Sequence, residues 1–158
     1  MGFFKNLFST HNSHTTASEE ELFSWNDKEY LKASSNYFSG MEKIESSWSV
    51  IYNLKDYTGD RAEKFIQDCY KNIKDFYAWI NAGKKYGETV PPSVPAFKRL
   101  SMIYEKQGNF QKAIDICAEA IEIGAINDGA KGQMRGRLAR LIKKSEITPG
   151  EDILKLLE

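Results

Sequence analysis

The chain reads as all-α, an array of six or seven helices paired as antiparallel hairpins. Three observations predict this. Apolar residues recur three and four positions apart over long windows, as in Ala62, Phe65, Ile66, Cys69, Ile73, Phe76 and Ile80, which puts them on one side of a helix. The period-two alternation of a half-buried strand is absent from these windows. Breaks fall between the windows: Ser/Asn–Glu helix starts, Thr58-Gly59, and a stretch from Lys84 to Pro95 that holds three of the four prolines with Gly87.

Taken in order, residues 1–18 stand apart from a single body at 19–158. The first eight carry Phe3, Phe4, Leu7 and Phe8, and residues 9–18 are polar with little to bury, so they read as a linker. Ser18 precedes Glu21, Asn26 precedes Glu29 and Ser39 precedes Glu42 by three, the spacing of reciprocal capping. These pairs predict helices near 19–25 and 27–38, and another carrying Met41, Ile44, Trp48, Ile51 and Tyr52 that stops at Thr58-Gly59. Asp60 and Glu63 open the longest helix, which reaches about residue 82 and includes Tyr77 on its stripe. After the proline-rich loop come a helix from Phe97 to Gln107 and one marked by Phe110, Ala113, Ile114, Cys117, Ala120 and Ile121, closed by Gly124. A helix over about 128–144 follows, and the capping box Thr148-Pro149-Gly150-Glu151 starts a short last helix with Ile153, Leu154, Leu156 and Leu157. Trp25, Trp48 and Trp79 read as packing between long helices, whereas Tyr30, Tyr37, Tyr57 and Tyr86 are less easily placed inside and suit an interface.

Composition narrows the functional classes. A chain of 158 residues suits one domain without metal or disulfide support. Lysine plus arginine is 22 and aspartate plus glutamate is 22, a balance that argues against a dedicated nucleic-acid binder. Cys69 and Cys117 fall on apolar stripes and read as buried reduced thiols. No apolar run approaches the ~20 residues of a membrane span, and the first eight residues are too short for a secretory signal, so a cytoplasmic protein is expected. Gly2 is followed by Asn6 where myristoylation requires Ser or Thr. His11 and His14 sit in the polar linker and make a poor metal site, since a closed zinc site takes four ligands. The body holds no histidine to serve as a base, no phosphate loop and no dinucleotide glycine pattern. The reading is of a non-enzyme without cofactor.

Residues 94–127 carry a pattern of sizes with its own physical sense. Ser101, Ala113 and Ala120 are small enough for helix backbones to approach, while Phe97, Leu100, Tyr104 and Phe110 fill the spaces between. Gly108 tolerates the conformation that ends one helix before the next. This pattern resembles a tetratricopeptide repeat, a 34-residue helical hairpin. Cys117 and Ala125 depart from it, standing where a larger apolar residue and a proline are usual. The resemblance implies a right-handed hairpin array, with 128–158 as capping helices, and a groove that receives a segment of a partner protein. By the family's pattern the exposed groove positions are Lys98, Met102, Glu105 and Lys106. Met102 stands where the carboxylate-clamping variety of the family has asparagine, which argues against that variety.

Two other segments offer rival readings. Lys131, Arg135, Arg137, Arg140, Lys143 and Lys144 lie in one run without an acid, able to meet phosphates or an acidic partner. The plainer expectation is the polar outer face of a capping helix, with Ala130, Met134, Leu138, Leu141 and Ile142 turned inward. Phe3, Phe4, Leu7 and Phe8 with Lys5 can touch a membrane surface, dock on a partner, pack back on the body as a short helix or form a disordered end. The groove can equally take a second copy of the chain.

Overall fold

The computed structural model describes residues 25–158. Phe3, Phe4, Leu7, Phe8, His11, His14 and the helix expected near 19–25 lie outside the described residues. Six α-helices and one 3-10 turn account for the described fold, and there is no strand among these residues. They are α1 (Lys28–Leu54), α2 (Asp60–Gly83), the turn Lys84–Tyr86, α3 (Pro95–Lys106), α4 (Phe110–Ile123), α5 (Gln133–Ser145) and α6 (Glu151–Lys155). None of these helices is long and apolar enough to cross a membrane.

The first departure from expectation is α1, which runs unbroken where two helices are expected. Asp27, not Asn26, caps it, accepting from the Tyr30 N–H at 3.0 Å. Ser39 does not start a helix. Its hydroxyl donates to the Asn36 carbonyl one turn back, so it is satisfied inside the helix. Gly40 does not break the helix either, because α2 makes use of its missing side chain. A Cβ there would lie 2.6 Å from Asn72 Nδ2, which donates to the Tyr37 carbonyl at 2.9 Å. The glycine is thus a close-approach site, and Asn72 pins α2 against it. The helix ends at Leu54, short of Thr58-Gly59, because Lys55 adopts a left-handed conformation with φ 53° and closes the last turn.

Aromatic contacts fix the direction of the first hairpin. Tyr37, early in α1, stacks on Trp79, late in α2, with ring centres 5.0 Å apart, whereas Trp48, late in α1, packs on Phe65, early in α2, at 5.7 Å. The two helices are therefore antiparallel. Tyr37 is only 2% exposed, contrary to the expectation that it lies outside. Tyr30, Tyr57 and Tyr86 are half-buried.

Packing continues from helix to helix: α2 meets α3 through Phe76 and Phe97, α3 folds onto α4, and α4 onto α5. The α3–α4 turn is Gln107–Asn109, with Gly108 at φ 75° and the Asn109 side chain capping α4. Gly124, at φ 90°, closes α4. Ser101, Ala113 and Ala120 are fully buried where backbones approach, and Phe97, Leu100 and Tyr104 fill the adjoining space. Met134, Leu138 and Leu141 bury the inner side of α5. This helix begins at Gln133, later than expected, leaving Lys131 in the preceding loop. The capping box at Thr148 is not formed: α6 starts at Glu151 after Gly150, with no side-chain cap. Cys69 and Cys117 are free and buried.

Candidate partner-binding face

One side of α3 is set by helical periodicity, and on it Met102 also packs against the edge of the core. Lys98, Met102 and Glu105 lie three and four residues apart on it, and all three are half-buried. Two helices frame this face. On the α1 side, Arg99 reaches Glu45 through two hydrogen bonds, Nε at 2.8 Å and Nη2 at 2.6 Å, a bidentate pair. The same guanidinium lies over the Trp48 ring at 5.5 Å, and its remaining nitrogen sits 3.6 Å from the Met102 sulfur. The Arg99 hydrogen bonds hold the Glu45 carboxyl below its ordinary pKa. On the α5 side, Glu105 accepts from Lys144 at 3.1 Å and lies 4.0 Å from Arg137.

Asp128 closes the α5 side from below. Its side chain is 0% exposed and that of Arg137 is 11%, with Arg137 Nε donating to Asp128 Oδ2 at 2.7 Å. The Ala130 N–H donates to the other carboxylate oxygen at 2.9 Å. Burial works to raise the Asp128 pKa, but the Ala130 N–H and the Arg137 guanidinium outweigh it and hold the carboxyl below its ordinary value. Lys98, next to this pair, has no acidic partner within ion-pair distance among the described residues. Burial and then the neighbouring Arg99 push its amine below the usual lysine pKa.

The four positions expected to line a groove therefore do not share one set of contacts. Lys98 and Met102 remain available, Glu105 is engaged with α5, and Lys106 turns to the α1–α2 connection, where its amine lies 5.5 Å over the Tyr57 ring. The basic run is dispersed as well. Arg135 donates to the Leu156 carbonyl, Arg140 to the Lys131 carbonyl, and Arg137 and Lys144 to carboxylates. The expectation of one solvated cationic side fails for Arg137 above all, since it is buried against Asp128. Of the run, Arg137 and Lys144 could meet a phosphate only by giving up these carboxylates, whereas Lys131 and Lys143 are exposed.

Sequence reasoning missed Glu45, Arg99 and Asp128. Glu45 and Arg99 are 54 residues apart, and nothing local marks them as a pair. Asp128 lay within a visible turn signal, Asn127-Asp128-Gly129, but its buried partner is nine residues on. A separate cleft of about 310 Å³ opens between α1 and α2, lined by Asn36, Lys43, Asp68, Lys71 and Asn72 among others. Its lysines and aspartates pair with one another, Lys43 with Asp68 at 3.1 Å and Lys71 with Asp75 at 2.7 Å.

These helices define an all-α protein of successively packed helices with one mixed apolar and cationic face. Comparison of the chain with protein-family models, curated proteins and solved structures finds no match.

Proposed function

We propose that this protein is a non-catalytic protein–protein interaction module, an adaptor or regulator in the cytoplasm, which holds a partner segment against α3 in the manner of a tetratricopeptide-like groove. The observation that carries the reading is the state of charge on that face. Glu45, Asp128 and Glu105 each have a cationic partner, whereas Lys98 has none among the described residues and stands beside the half-buried Met102. An apolar contact next to an amine that makes no direct ion pair among the described residues favours a partner segment that offers an apolar side chain and an acceptor. The buried small residues of the α3–α4 hairpin support the same reading, because they let the hairpin pack tightly and leave α3 to present one open side.

The test is affinity capture from nuclease-treated native cytosol by the wild-type protein and by Lys98→Ala/Met102→Ala. Glu105 is left in place because it ties α3 to α5. A protein retained by the wild type and lost by the variant, with circular dichroism and melting unchanged, is the expected result. Identical partners for both proteins would refute the assignment of this face.

A further inference from the structure

The first half of α1 carries an apolar stripe that the array covers only in part: one edge of Phe38 meets the Trp79 ring of α2 at 5.1 Å between ring centres. Leu31 and Phe38 are seven residues apart, hence on one side of the helix, and they are 42% and 43% exposed. Ser34, between them on that side, is small and half-buried, which leaves room for a partner side chain between the two. Met41, one turn beyond Phe38, is partly covered. Trp25, where the described chain begins, is 75% exposed. The stripe is left half-exposed because the helices differ in length. With 27 residues, α1 spans about 40 Å, whereas the 12 residues of α3 span about 18 Å. Its tie to α1 is at Glu45, one further seven-residue step along the same side, and the stripe from Leu31 to Phe38 extends beyond it.

We propose that the stripe is the docking site for the chain's own residues 3–8. Their side chains supply what it lacks: Phe3, Phe4, Leu7 and Phe8 put four large apolar side chains into six residues. Leu31 and Phe38 lie about 10 Å apart along α1. The 16 residues between Phe8 and Trp25 can span up to about 55 Å, far more than the return to the start of α1 requires. A tether of this length also sets the local concentration in the millimolar range, so a contact too weak to hold two molecules together can close within one. A lipid surface is the less apt occupant, because Lys5 is the segment's sole basic residue and stable membrane attachment takes a second signal. The inference is independent of what the α3 face binds.

Paramagnetic relaxation in the full chain tests it. Lys5→Cys carries a nitroxide; Cys69 and Cys117 are buried and stay unlabelled. Amide signals of residues 31–38 should lose most of their intensity while those of α5 keep theirs. The loss should vanish in Phe4→Ser/Phe8→Ser, which leaves the body's sequence intact, and in Leu31→Gln. A mixture of isotope-labelled protein without nitroxide and unlabelled protein with it should show no loss. Uniform broadening, or broadening centred away from α1, overturns the proposal. Equal loss in the mixture overturns it in favour of a second copy, and loss appearing only with anionic vesicles overturns it in favour of a lipid surface.

Discussion

Replacing Arg137 by alanine should cost about 3–5 kcal/mol of folding stability, the range for leaving one member of a buried ion pair without the other. The structure points to the lower end. Asp128 would lose the 2.7 Å bond to its Oδ2 but keep the Ala130 N–H on Oδ1, and Lys98 stands close enough to lend it some charge. Glu105 loses only a 4.0 Å neighbour and keeps Lys144. Urea unfolding at neutral pH, read as a midpoint shift with unchanged slope, measures the difference. Its pH dependence supplies an independent check. In the wild type the folded Asp128 pKa lies below its unfolded value, so its contribution is fully present above about 3.9 and is lost as pH falls through the folded value. Without Arg137, burial is opposed only by the Ala130 N–H and Lys98, so the folded pKa moves up from its wild-type position; the penalty is therefore largest at neutral pH and shrinks as Asp128 takes up a proton. The gap between the two proteins should therefore narrow toward pH ~3. A difference within about 0.5 kcal/mol, as for an ordinary surface change, or one that does not narrow in acid, would refute the buried-pair argument.

Three further outcomes follow from the packing. Gly40→Ala gains about 1 kcal/mol of helix propensity but displaces the Asn72 amide, whose buried hydrogen bond is worth about 1–3 kcal/mol once an unpaired group is left behind. A net loss is expected by thermal melting, and Gly40→Ala/Asn72→Ala should recover much of it. Ala113→Leu forces bulk into a fully buried position of α4 and should lower stability by about 1–3 kcal/mol in chemical denaturation, whereas the same change at the exposed Gln111 should be almost silent. Burial raises the pKa of Cys117 to about 12 and that of Cys69 as well. A thiol reagent at neutral pH should therefore leave the native protein untouched and label both cysteines once it is unfolded.

Element type was legible wherever the apolar period was long. The stripe from Ala62 to Ile80 and the hairpin of 97–123 lie where spacing puts them, because one-sided burial is a local property of sequence. The misreadings concern residues whose meaning is set from elsewhere in the chain. Ser39-Gly40 looks like a helix boundary, but Asn72, 32 residues away in sequence, makes the glycine a packing site. The cationic run of 131–144 looks like one surface, but Asp128 and Glu105 take Arg137 and Lys144 from it. That Lys98 and Met102 share one half-buried side of α3 was legible from their spacing. That Glu105 and Lys106 are engaged was not, since their partners Lys144 and Tyr57 lie on other elements.

The most direct measurement is a binding isotherm between the intact protein and the shortest segment of a captured partner that still binds. It would be repeated with Met102→Ala and with Lys98→Ala, each at a temperature where its melting curve shows it fully folded. The account predicts that each substitution weakens binding by roughly tenfold, about 1.4 kcal/mol, while Arg135→Ala on the far side of α5 leaves it unchanged. Equal affinity for the wild type and both α3 variants would contradict the central claim that this face receives the partner.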